Sequence, residues 1–238
     1  MSKNKVELLG YYGSDEVIAS SAWTSTSRDL TDEKRERIPA LIKMLWDNEH
    51  ETPFEKGMVH FLVDTEIASH IHLLKHRMSS FNGESARYKE LKEDKIYLPE
   101  DWKDLDILSP FKWDGYPEGT YFTGEITANE TWKNVLYDYN KLGNFLYHKC
   151  LEDTTERLGR KRAKESARFF KTYSSQIQGD VSFNMRSFAN FIKLRNSEHA
   201  QLEIREVAQQ MWDLVQGIEG NPFKETLNVI CERISKNN

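Results

Sequence analysis

The chain has 238 residues, 38% hydrophobic and 30% charged, with a formal net charge of -5. That length supports a proper core in one domain over 1–238, and the acidic balance argues against a general polyanion-binding surface. No run approaches the roughly 18 apolar residues a membrane span needs, the polar Met1–Lys5 start does not read as a secretory leader, and Cys150 and Cys231 have neither metal nor redox spacing. The expectation is a cytoplasmic protein without a metal site and without a membrane or nucleic-acid partner.

In chain order, Val6 to Tyr12 and Val17 to Ala22 read as strands joined across Gly13-Ser14-Asp15. Ile38, Leu41, Ile42, Leu45 and Trp46 have helical spacing, with Pro39 in the first turn. Met58 to Asp64 alternates as a strand, and Glu66 to Lys75 is helical. The segment Leu98 to Gly124, rich in Pro and aromatics, predicts a packed loop-rich insertion near 98–124, with another strand from Tyr121 to Thr127. Thr131 to Arg157 predicts a long amphipathic helix with Val135, Leu136, Tyr139, Leu142 and Leu146 on one face. Helices follow at Lys161 to Tyr173, Met185 to Leu194, Ser197 to Gln216 and about Phe223 to Ile234. A few strands followed by grouped helices predict an α+β fold: a small antiparallel sheet with long helices packed against it.

The chemistry concentrates in Lys75 to Tyr88. Lys75, His76 and Arg77 fall at a predicted helix C-terminus, where the dipole favours cations. Asn82-Gly83 offers a turn, and Ser85 and Arg87 supply a hydroxyl and a guanidinium fork suited to a phosphate monoester. A solvated helix end and an ordinary turn would give the same string. Arg195, His199 and Glu203 recur every four residues, so one continuous helix would align them on one face; an exposed ladder of charges would do the same. Ser85 has no positioned base and is read as a phosphate ligand, not a nucleophile.

Five ordered blocks, from about residue 20 to 205, resemble the flavin-dependent thymidylate synthases. That family carries Arg-His-Arg, seven residues, Ser; this chain has Lys75-His76-Arg77, seven residues, Ser85, then Ala86-Arg87-Tyr88. His50-Glu51-Thr52-Pro53-Phe54-Glu55 is similar to its His-x-Thr-Pro-Phe-Glu, and Glu165-Ser166-Ala167-Arg168 to its Glu-x-Ala-Arg. Asn184 to Phe191, and Leu194-Arg195 through His199 to Ile204, are similar to its C-terminal helical motif.

The resemblance implies reductive methylation of deoxyuridine monophosphate (dUMP) to thymidine monophosphate (dTMP). FAD, NADPH and 5,10-methylenetetrahydrofolate would be the cofactor and co-substrates, and the enzyme a homotetramer with shared active sites. It implies Arg195 as the catalytic residue, at the uracil ring. It implies flavin contacts from His50, Thr52, Lys75, His76, Arg77, Glu84, Asn184, Arg186, Asn190 and His199. Substrate contacts would come from His72, Lys75, Gly83, Glu84, Ser85, Ala86, Arg87, Arg168 and Arg195. No Gly-x-Gly-x-x-Gly is present, which disfavours a dinucleotide-binding Rossmann fold.

Three positions depart from the family pattern: Lys75 replaces an arginine, His72 stands where glutamine is usual, and Gly83 displaces the glutamate to Glu84. Two rival readings are a nucleic-acid-binding protein, marked by strong salt dependence, and an inactive assembly subunit that retains the fold only; a yellow preparation supports flavin binding, and a colourless one leaves the question open because flavin can be lost.

Overall fold

The computed structural model describes residues 3–27, 29–109, 111–114, 123–126 and 131–237. The elements run β1 (Lys5–Tyr12), α1 (Asp15–Trp23), α2 (Asp32–Glu36), α3 (Ile38–Asp47), β2 (Met58–Glu66), α4 (Ile67–Leu74) and β3 (Ser79–Gly83). Then come β4 (Phe111–Asp114), β5 (Thr123–Ile126), α5 (Trp132–Leu158), α6 (Arg160–Ala167), β6 (Gln176–Asn184), α7 (Met185–Arg195), α8 (Leu202–Gln216) and α9 (Lys224–Asn237). The chain forms two compact units, one of residues 4–84 and 177–238, the other of residues 1–3 and 85–176.

The first unit holds a four-stranded sheet in the order β1-β2-β6-β3, in which β1 pairs antiparallel with β2 and β3 with β6. Alternation builds its buried face: Val59, Phe61 and Val63 of β2 and Val181 and Phe183 of β6 are buried, while His60 and Asp180 point outward and bond to each other at 2.8 Å. Helices cover the buried face. The stripe Ile204, Val207, Ala208, Met211 and Val215 of α8 is wholly buried, as its spacing requires. Phe183 and Phe191 lie 5.1 Å apart, and Phe61 and Phe188 stack at 5.8 Å, joining α7 to the sheet.

Several elements differ from the sequence reading. Val17 to Ala22 is not a strand but part of α1: the Ser14 hydroxyl accepts from the Val17 N–H at 3.2 Å, and Asp15 and Glu16 occupy the favourable first turn. That cap outweighs the β-preference of Val17 and Ile18. Asn82-Gly83 is not a turn; both residues pair with β6, opposite Asp180 and Gly179. The helix over Ser197 to Gln216 begins only at Leu202, so α7 and α8 are separate and Arg195, His199 and Glu203 do not share one continuous face. Strand β6 and the short helix α2 were not legible.

The second unit is built on α5, capped at its start by Thr131, whose side chain accepts from the Asn134 N–H. Its buried face is Asn140, Gly143, Asn144, Tyr147 and Leu151, not the predicted apolar stripe; Tyr139 and Leu142 are exposed. Polar pairing explains the rotation. The Lys171 ammonium donates to Asn144 and to Asp94, each at 2.7 Å, over the Tyr147 ring, and the Tyr147 hydroxyl accepts from the Leu91 N–H at 3.1 Å. Gly143 permits a backbone approach: a Cβ there would meet the Phe170 carbonyl at 2.6 Å. The helix predicted over Lys161 to Tyr173 stops at Ala167 and tightens into a 3-10 turn at Arg168–Phe170. The loop-rich stretch contains the β4–β5 hairpin; Pro110, Gly115, Tyr116, Pro117 and Tyr121, and the ends of the strand expected over Tyr121 to Thr127, lie outside the described residues.

Candidate active site along helix α7

Two strands of the sheet each run directly into a helix, and the last strand residue caps that helix. Glu66 accepts from the Ser69 N–H at 3.0 Å at the start of α4, and Asn184 accepts from the Ser187 N–H at 2.8 Å at the start of α7. The far ends of these helices carry cations, with His76 among them: Lys75 and Arg77 flank that imidazole after α4, and Lys193 and Arg195 lie in the last turn of α7. A cavity of about 890 Å³ follows one face of α7 from Asn184 and Arg186, through Asn190 and Lys193, to Arg195. The eleven residues of α7 give that wall a length of about 16 Å at 1.5 Å per residue, enough for an extended ligand.

At the Arg195 end, the guanidinium Nε donates to His76 Nε2 at 3.1 Å. The acceptor nitrogen must be unprotonated, which fixes the His76 proton on Nδ1. Burial, then the charge on Arg195, pull His76 down to about 4, so it is neutral at pH 7. Its ring packs edge-on against Phe191 at 5.0 Å, tying the site to the core. One turn earlier, His72 is likewise pulled down, by burial and by Arg195 and Lys75; its Nδ1 is buried without a hydrogen-bond partner among the described residues. His72, Lys75, His76, Arg77 and Arg195 are thus brought together.

The other end is a charge network. Arg186 donates to Glu51 at 3.0 Å and to Glu55 at 2.8 Å, and Arg233 donates to the second oxygen of Glu51 at 2.9 Å. Among the described residues Lys75, Arg77, Lys193 and Arg195 make no ion pair with a carboxylate. That surplus of positive charge suits a phosphate-bearing ligand, and a flavin dinucleotide, with its pyrophosphate, fits this donor set and size.

His50 and Thr52 do not line this cavity. They line a second one of about 480 Å³ with Trp23, Met44 and Pro53. His199 lies exposed between α7 and α8, outside both. Gly83 is in the sheet, and Glu84 extends its pairing: its N–H donates to the Gln178 carbonyl at 2.8 Å and its carboxylate accepts from the Gln178 N–H at 3.3 Å. In the second unit, Ser85, Ala86 and Arg87 form a turn in which the Ser85 hydroxyl accepts from the Arg87 N–H at 3.3 Å. The Arg87 guanidinium is held by Glu165 at 2.8 Å, and Arg168 is exposed at the start of its 3-10 turn.

Trp46, Glu49, Lys193 and Arg233 also line the α7 cavity and were missed. Lys193 was findable, three residues after Asn190 on the same helix face. Arg233 had no local signal, because long-range packing of α9 brings it in.

These features define a class: an α+β protein with a cation-rich cleft whose length and charge suit an extended phosphate-bearing ligand. The family model described as thymidylate synthase complementing protein matches residues 7–219. The chain is 32% identical over 208 residues to the flavin-dependent thymidylate synthase of Pseudothermotoga lettingae, covering 87% of this chain and 83% of that one. It is 31% identical, with the same coverage, to that of Thermosipho melanesiensis. Among solved structures it is similar to the UMP/dUMP methylase PolB from Streptomyces cacaoi bound with 5-Br dUMP, with a TM-score of 0.72, 25% identity, and coverage of 98% and 96%. The chain belongs to the family of the flavin-dependent thymidylate synthases.

Proposed function

We propose that the protein methylates C5 of dUMP reductively to give dTMP, with 5,10-methylenetetrahydrofolate as carbon donor and NADPH as the source of reducing equivalents. Bound as FAD, the flavin supplies the hydride chemistry, and the protein supplies positioning and electrostatics. The observation that carries this reading is Arg195, held by a neutral His76 at one end of the α7 cavity.

A guanidinium against the O2 and N3 edge of uracil stabilises negative charge on the ring, which makes C5 nucleophilic. His76, as an acceptor, orients Arg195 without competing for that charge. Asn184, Arg186, Asn190, Lys75, His76 and Arg77 are proposed to hold the flavin, with His50, Thr52, Glu84 and His199 as further contacts. The dUMP ligands are proposed to be His72, Lys75, Gly83, Glu84, Ser85, Ala86, Arg87 and Arg168. In this role the Glu165 carboxylate holds the Arg87 fork ready for a phosphate.

A homotetramer with shared sites is supported by two observations. The α5 helix exposes Trp132, Tyr139, Leu142 and Phe145, and His50 and Thr52 line a different cavity from Asn190. No described helix is long and apolar enough to cross a membrane, and cytoplasmic residence is part of the proposal.

The test supplies dUMP, methylenetetrahydrofolate, NADPH and FAD to the purified protein and measures dTMP. The expected result is flavin-dependent product that falls about 10²- to 10³-fold in Arg195→Ala. No product from a flavin-loaded, folded wild type would refute the reading.

A further inference from the structure

Helix α9 lies beyond the residues matched by the family model, yet Ile230, Arg233 and Ile234 line the α7 cavity. Its inner face is anchored by Leu227 and Ile230, both buried in the core. The Arg233 guanidinium lies 4.1 Å over the Trp46 ring and also donates to the Trp46 carbonyl. Its other nitrogen donates to Glu51 Oε1, while Glu51 Oε2 accepts from Arg186. Glu51 is therefore shared between two guanidiniums, one on α9 and one on α7.

The sharing has an electrostatic consequence. Arg186 and Arg233 balance Glu51 and Glu55, two charges against two. Without Arg233 the group carries a net charge of -1, and both Glu51 oxygens are released to Arg186, whose fork matches a carboxylate bidentately. The Arg186 Nη2, which its Nε and Nη1 bonds to Glu51 and Glu55 leave open, would then be taken by the second Glu51 oxygen and less available to a phosphate.

We infer that Arg233 is a positioning residue for the cofactor: by holding Oε1 of Glu51 it leaves Arg186, bonded through Nε to Glu51 and through Nη1 to Glu55, with its Nη2 open to the flavin dinucleotide, which makes α9 part of the cofactor site. The inference rests on the proposal that the α7 cavity takes that flavin.

The experiment titrates FAD into the wild type, Arg233→Met, Arg233→Lys, Glu51→Gln and the Glu51→Gln/Arg233→Met double variant, and records a thermal melt of each. Arg233→Met is expected to weaken FAD binding about tenfold, the order found for coupled charge pairs, and Arg233→Lys to recover part of the loss. In the Glu51→Gln background the Arg233→Met effect should shrink to less than about twofold, since the carboxylate through which Arg233 acts is gone. An equal loss in both backgrounds would mean that Arg233 only packs on Trp46, and would overturn the inference. So would a folded Arg233→Met that binds FAD as the wild type does. A wild type that never saturates with FAD would overturn the flavin reading and the inference with it.

Discussion

The two strand-to-helix corners of the first unit use one backbone device for different ends. At the β2–α4 corner the capping residue is Glu66, 4% exposed. It accepts from the N–H and hydroxyl of Ser69 and contacts the Thr65 hydroxyl, which also donates to Asn4 at 2.9 Å. Burial pushes its carboxyl up, against the lowering effect of those hydrogen bonds. At the β6–α7 corner the cap is Asn184, half-buried and on the cavity wall. The first corner is closed and satisfied internally, whereas the second opens the start of a helix, the end that favours anions, toward a ligand. On the proposed reading, similar corners serve folding in one place and cofactor binding in the other.

Substitutions at the caps should separate these roles. Glu66→Ala leaves the Ser69 N–H and hydroxyl without their acceptor in a dry site, and should cost about 3 kcal/mol in denaturant unfolding while a folded fraction still binds flavin normally. Asn184→Ala should cost only about 1 kcal/mol, the loss of one cap, but should weaken flavin binding. Equal destabilisation at the two positions, or normal flavin affinity in Asn184→Ala, would break the distinction.

A smaller effect lies at Glu49, which ends α3 with φ at 58° and lines the α7 cavity. Its N–H donates to the Trp46 carbonyl at 3.2 Å and the following N–H to Leu45 at 2.8 Å, so a helix cap there requires left-handed backbone from a residue with a side chain. Glu49→Gly should raise stability by about 1 kcal/mol, measurable by thermal or urea unfolding; a destabilised variant would show that the Glu49 side chain contributes more than its backbone costs.

The pH dependence sharpens the open end of the site. His76 titrates near 4 in the folded protein and about 6.5 when unfolded. Between those values the unfolded chain binds a proton that the native state refuses. This contribution is complete above about pH 6.5 and is lost as pH falls toward 4. The stability of the wild type should fall over that window more steeply than that of His76→Gln, which can still accept from Arg195. Parallel curves would remove the neutral His76 from the account.

Much of this was legible in the residues. The alternation of Val59, Phe61 and Val63 marked β2, and the spacing of Ile204 to Val215 marked α8, because burial on one face leaves a period in the sequence. The motif blocks placed Arg186, Asn190 and Arg195 on a helix. What failed was set by distant partners. Gln176 to Asn184 carries Gly179 and Asp180, which hide a strand until β3 and His60 are beside it. The α5 face is chosen by Lys171 and Leu91, remote in sequence from Asn144 and Tyr147. No glycine or proline announces the break after Arg195, and nothing local predicts that Arg233 reaches Glu51.

The central claim is that the cofactor lies along α7. The most direct measurement is FAD affinity in Lys193→Glu, a cavity residue reached from geometry alone, on an exposed helix position where folding should be unaffected. The account predicts a loss of about tenfold or more from reversing a charge beside the pyrophosphate, with an unchanged melting temperature. Undiminished affinity in the folded variant would contradict it and place the flavin elsewhere.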